Sequence, residues 1–147
     1  MLKITTTGSL PRVDVIDITD EMANASKIML DSVRRNLLEG GRPERWEALK
    51  SGGPSFLFQG GALLQSLTPD SGSNWAEVFT NTLPYAAIHQ FGGVINHPGR
   101  GKTPVPYTIN MPQREYLMFQ QEDIDSISTM LKDHLINFYN AKGEQIG

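Results

Sequence analysis

The 147-residue chain predicts an α+β fold in which an antiparallel β-sheet packs with a long N-terminal helix and a C-terminal helix, joined by a short connector helix and a long loop. Three observations carry this. Apolar residues recur at helical spacing near both ends of the chain, short apolar pieces punctuated by glycine and proline lie between them, and one stretch, residues 94–107, is dominated by turn formers. The length predicts a single domain over residues 1–147, large enough to bury a core.

The first helix is expected over about residues 14–38, where Ile18, Met22, Ala25, Met29, Val33 and Leu37 form one face. Ser9 and Pro11 offer a start, and Gly40-Gly41 a stop, because glycine tolerates the left-handed conformation that ends a helix. Three pieces then read as antiparallel strands: residues 55–59, 63–67 and 75–80, with Gly60-Gly61 and Pro69-Asp70-Ser71-Gly72 as the turns between them. In the third, Trp75, Glu77 and Phe79 alternate with Ala76, Val78 and Thr80, so both faces have groups to cover. Residues 84–93 read as a short connector helix closed by Gly92-Gly93. Pro98, Gly99, Gly101, Pro104 and Pro106 make 94–107 an expected exposed loop, after which residues 111–118 return toward the core. The last helix carries the stripe Ile124, Ile127, Leu131, Leu135 and Phe138, with Glu122, Asp123 and Asp125 in its first turn and Gly143 at its end. Such stripes must lie against a sheet, each other or a neighbouring subunit.

A hydrophobic content of 39% with 20% charged residues places the chain among folding globular proteins. The net charge of −3 argues against a surface built to neutralise nucleic-acid phosphates. The chain has no cysteine, which removes disulfides, thiolate metal sites and a cysteine nucleophile. The first residues lack the apolar run of a secretory signal, and no segment approaches the roughly 20 apolar residues of a membrane span. His89, His97 and His134 stand in no metal-binding spacing, and a structural role is expected for His89, bonded to backbone at the end of its short helix. Gly99-Arg100-Gly101-Lys102-Thr103 lacks the glycine spacing of a phosphate-binding loop and is neither preceded by a buried strand nor followed by a helix. The carboxylates of the helices fall where solvent-facing charge is usual, and Ser55, Ser66 and Ser73 have no nucleophile-elbow setting. Neither a catalytic constellation nor a cofactor is expected.

Four elements, in order, resemble those of the Mu-type phage virion morphogenesis, or tail completion, family. Pro43-Glu44-Arg45-Trp46 with Leu49 is similar to its Pro-x-x-Trp element, and Gly61-Ala62-Leu63-Leu64-Gln65-Ser66-Leu67 to a Gly-x-Leu-x-x-Ser-Leu element. Tyr85-Ala86-Ala87-Ile88-His89-Gln90-Phe91-Gly92-Gly93 resembles the signature Tyr-Ala-x-x-His-Gln-x-Gly. Met111-Pro112-Gln113-Arg114-Glu115-Tyr116-Leu117 resembles Ile-Pro-Ala-Arg-Pro-Phe-Leu, with Gln113, Glu115 and Tyr116 as departures. The resemblance implies a non-enzymatic structural protein of a tailed phage or prophage, assembled in the host cytoplasm into the virion. Its expected partners are copies of itself, closing into a ring, and head-connector and tail-terminator proteins; a membrane and nucleic acid are not expected.

The structural or interface candidates are Trp46, Tyr85, His89, Gln90, Phe91, Gly92, Gly93, Arg100, Lys102 and Arg114. The rings of Tyr85 and Phe91 are expected to anchor the short helix, Ala86 and Ala87 to permit close packing, and His89 and Arg114 to satisfy backbone carbonyls or one another's neighbourhood. Two other classes compete with this reading. One is a small hydrolase or nucleic-acid-processing enzyme built on His89, Arg100, Lys102 and His134. The other is a small binding module with a ligand-sized pocket and no self-association.

Overall fold

The computed structural model describes residues 15–48, 61–80, 85–102 and 105–143. Helix α1 spans Thr19–Glu39, α2 Ala62–Ser66, strand β1 Leu67–Ser71, β2 Ala76–Thr80, α3 Ala86–Phe91, β3 Gly93–His97, β4 Tyr107–Met111 and α4 Gln121–Ala141. The architecture is α+β, with two antiparallel hairpins, β1–β2 and β3–β4, forming separate two-stranded sheets. The single sheet expected from the sequence is thus divided. The strand expected at 55–59 lies outside the described residues.

Helix α1 is the platform. Its buried side includes Met22, Ala25, Met29, Leu30, Val33 and Leu37, and it ends at Gly40, whose φ of 73° is left-handed and whose N–H donates to the Asn36 carbonyl. Its start differs from expectation: residues 15–18 are not helical, and Asp17 accepts hydrogen bonds from both the backbone N–H and the hydroxyl of Thr19. The β-branched Val15, Ile16 and Ile18 gain little from helix formation, while an aspartate just before the first turn satisfies a free amide. Ser9 and Pro11 lie outside the described residues and well before this start.

The core is a single cluster of Leu30, Val33 and Leu37 from α1 with Leu63, Leu67, Ala86 and Tyr116, flanked by Trp46, Leu64, Val78 and Leu117. Each fully buried leucine or valine contributes about 1.5–3 kcal/mol of transfer free energy. Residues 62–66 are helical, a correction to the expected strand. Leu63 and Leu67 both face the core, four residues apart, while Gln65 between them is exposed; strict alternation would have buried it with them. The expected turn at 69–72 also moves, because Pro69, Asp70 and Ser71 pair with Val78, Glu77 and Ala76. Proline is tolerated in a two-stranded sheet, where each strand keeps an unpaired edge. The connection is instead tightened by the Gly72 N–H donating to the Trp75 carbonyl. β1 and β2 lie on α1. Ala76, Val78 and Thr80 are half-buried, whereas Trp75, Glu77 and Phe79 form an exposed face, so β2 is covered on one side and not both.

The expected loop at 94–107 is reduced to its tip. Val94–His97 and Tyr107 belong to the hairpin β3–β4, with Ile95 paired to Ile109 and His97 to Tyr107. The prolines and glycines all fall at 98–106, leaving β-branched and aromatic residues to pair on either side. The His97 and Tyr107 rings stack at 4.7 Å, closing the hairpin near its tip.

Helix α4 runs antiparallel to α1. Ser32 of α1 donates to the Asp123 carboxylate at one end, and His134 lies 2.6 Å from Glu21 at the other. Arg42, just past α1, reaches the Glu122 carboxylate, which Arg35 also contacts at 3.1 Å.

The tie between α1 and the returning chain is polar. Asn36 is fully buried, and its amide donates to the carbonyls of Tyr116 at 3.0 Å and Met118 at 2.8 Å. Replacing it by alanine strands a buried carbonyl at Tyr116 and a part-buried one at Met118. We expect Asn36→Ala to lower the unfolding free energy by about 3 kcal/mol in urea titrations; a loss below about 0.5 kcal/mol would mean that these bonds do not hold the segment to the helix.

Candidate functional site

The Tyr85–Gly93 stretch and the Met111–Leu117 stretch, distant in sequence, are docked on each other through main-chain and side-chain bonds. Gln90 is buried, and its side-chain carbonyl accepts the N–H groups of both Tyr116 at 3.1 Å and Leu117 at 2.9 Å. The Tyr116 hydroxyl donates to the Ala86 carbonyl at 3.2 Å, and the Arg114 N–H to the His89 carbonyl at 2.7 Å. A six-residue helix has little stability of its own. These four bonds join its backbone and one side chain to the segment that Asn36 ties to α1.

Gly92 makes the approach possible. Its φ of 68° with ψ of −176° is a conformation open almost only to glycine. A Cβ there would stand 2.8 Å from the Gln113 nitrogen and 3.1 Å from the Met111 oxygen.

Several candidate side chains behave otherwise than expected. Phe91 is 74% exposed and Tyr85 is 38% exposed, so the rings do not anchor α3; Gln90 does. Ala86 is buried but Ala87 is exposed. The His89 ring meets Tyr85 edge-on at 6.0 Å rather than bonding to backbone, and its Nδ1 is buried without a partner among the described residues. Arg114 is also buried, with an unpartnered Nε. Burial, and then the Arg114 charge, push the His89 pKa below the ordinary imidazole value. The Trp46 side chain packs half-buried on the core, and the residue's backbone N–H donates to the Gly40 carbonyl at 2.7 Å. Arg100 and Lys102 are exposed at the tip of the β3–β4 hairpin.

The four residues of the competing enzyme reading are not brought together. His134 faces Glu21 between α1 and α4, His89 sits on α3, and Arg100 and Lys102 lie at the hairpin tip, with no hydrogen bond or ion pair joining any two of the four. Among the described residues, no three metal-ligating side chains converge, and no helix is long and apolar enough to cross a membrane. A groove of about 420 Å³ beside Asn96, His97, Pro98, Pro106, Tyr107 and Thr108 lies open on the hairpin surface.

Both of the docked stretches fall within residues 18–136, which match the phage virion morphogenesis family. The chain belongs to that family. It is similar to the Mu-like prophage FluMu G protein 2 of Haemophilus influenzae, 34% identical over 113 residues that cover 77% of this chain and 75% of that protein. No solved structure matches significantly. A role in phage virion morphogenesis follows from the membership.

For a virion morphogenesis protein, the sequence reading missed the residues that hold the frame. Asn36 is buried on α1 between Val33 and Leu37, and its place beside the apolar stripe, three residues after one and one before the other, is the signal in the sequence. Gln120 donates to the Arg42 carbonyl at 2.9 Å, and its N–H reaches Asp123 at 2.7 Å; its place just before an acidic first turn marks it as a cap.

Two outcomes follow. Gly92→Ala should lower the unfolding free energy by about 2 kcal/mol or more, while Gly101→Ala, which meets no atom within 4 Å, should lose less in the same thermal melts; equal losses would remove the close approach at Gly92 as the cause. Because the folded-state pKa of His89 is depressed, the unfolded chain takes up the proton first on acidification. Its contribution is complete above about pH 6.5 and is lost as the pH falls from there through the folded pKa. Urea midpoints from about pH 7.5 to 5.5 should decline less steeply in His89→Gln than in the native chain, and parallel declines would exclude His89 as the source.

Proposed function

We propose that this protein is a non-enzymatic structural component of a tailed phage or prophage virion. In this reading it acts in tail completion and head–tail joining, assembling with copies of itself and docking to head-connector or tail-terminator proteins. The observation that carries the reading is how the signature residues are used. Gln90, the His89 carbonyl and Gly92 hold the chain's own backbone together, and they do not line a cleft around reacting groups. Membership in the phage virion morphogenesis family supports the same reading, as does the similarity to a Mu-like prophage protein.

The exposed apolar residues support assembly. Phe91, Val94, Val105, Tyr107, Ile124 and Leu135 are each at least 40% exposed. An isolated two-stranded hairpin is marginal in water, and an amphipathic helix with its stripe part-open gains from a neighbour. A head-to-tail contact between identical chains closes into a ring when the rotation per subunit divides the circle. The work of such a protein is positional: it presents one surface to its copies and another to the structures it joins.

Light scattering over a wide concentration range, alone and with connector and terminator proteins, tests the reading. A discrete oligomer, or a defined complex with either partner, is the expected result. A monomer at all concentrations that binds neither partner would overturn it.

A further inference from the structure

The two hairpins carry complementary surfaces, and among the described residues no ion pair joins one to the other. On β1–β2 the outward face presents Trp75 and Phe79, 45% and 36% exposed, together with Asp70 and Glu77. Asp70 and Glu77 stand directly opposite each other in the register. Like charges at facing positions destabilise a strand pair, yet no lysine or arginine among the described residues forms an ion pair with either carboxylate. Among the described residues, the one bond made by either side chain is to the backbone N–H of Ser71, which Asp70 accepts at 2.8 Å.

On β3–β4 the pattern is inverted. Ile95, His97, Tyr107 and Ile109 share one face by register, with Ile95 and Ile109 each 36% exposed and Tyr107 41% exposed. Val94, Asn96, Thr108 and Asn110 share the other. The hairpin's main packing is between its own two strands. At its tip, Arg100 and Lys102 are exposed and ion-paired to no carboxylate among the described residues. Residues 78–114 contain Arg100, Lys102 and Arg114 and no aspartate or glutamate, within a chain of net charge −3, so the rest of the molecule bears −6.

We infer that the β3–β4 hairpin of one subunit docks on the Trp75–Phe79 face of the next, placing Arg100 and Lys102 against Asp70 and Glu77. The occupant of each surface is a second copy of this chain. Each hairpin lacks what the other offers: an apolar face needing cover and two unpaired cations on one side, two exposed aromatics and two opposed unpaired carboxylates on the other. The contact is heterologous, since the surfaces are different parts of the same chain, and repeats from subunit to subunit. It rests on the self-assembly proposed above and names the surfaces that carry it.

Charge-swap variants test the pairing by sedimentation velocity, with circular dichroism to confirm folding. All four positions are exposed, so the substitutions leave the core untouched. Asp70→Lys with Glu77→Lys, and separately Arg100→Glu with Lys102→Glu, should each raise the dissociation constant of the native oligomer by about tenfold or more. The chain carrying all four substitutions should recover native assembly. If the native chain assembles and neither double variant weakens it, or if the fourfold variant does not recover, the docking is wrong while self-assembly stands. A native chain that is monomeric at every concentration overturns both.

Discussion

One buried amide holds this fold in register. Asn36 lies in the apolar stripe of α1, yet it binds two carbonyls of the segment that follows β4, and its own carbonyl lies 3.4 Å from the Gln120 amide that caps α4. Hydrophobic burial of Val33 and Leu37 alone would allow that segment to slide along the helix, because apolar contacts have little directional preference. Hydrogen bonds to main-chain groups at 116 and 118 permit a single register. From there, Gln90 and Ala86 bring in α3, and Asp123 with Ser32 brings in α4.

The fold brings together two of the stretches that carry the family resemblance. Residues 85–93 and 111–117 are the two halves of one contact, separated in sequence by the β3–β4 hairpin. Glycine at 92 lets the backbones touch, and a glutamine at 90 satisfies two successive amides that no regular element pairs. The chemistry is that of a joint.

The long elements were legible in the sequence because their signals are repetitive. The stripes of α1 and α4 run over several turns, and Gly40 and Gly143 mark their ends. The alternation at Trp75–Thr80 was equally plain, as was the short helix before Gly92. Short elements were not, since Leu63 and Leu67 fit both a helix and a strand until the placement of Gln65 decides. Pro69 read as a turn because an unpaired strand edge leaves no local mark. The hairpin at 93–111 was hidden by the prolines and glycines of its tip. Among the site candidates, the identity of the signature was readable while the division of labour was not: Gln90 and Phe91 are neighbours, and only the fold shows that the polar one is inside.

Helix α4 is fastened differently from everything else. Its buried residue is Asp123, and its apolar stripe is only partly covered. Its hold on α1 rests largely on polar ties at two places, Ser32 with Asp123 and Glu21 with His134, supported by Arg42 and Arg35 at Glu122. Opening a helix attached in this way exposes little apolar surface, so it needs far less free energy than unfolding the core. Amides along α4 are therefore expected to exchange with solvent through openings that leave α1, the β1–β2 hairpin and the Gln90 joint closed, the C-terminal helix swinging as a flap on the core.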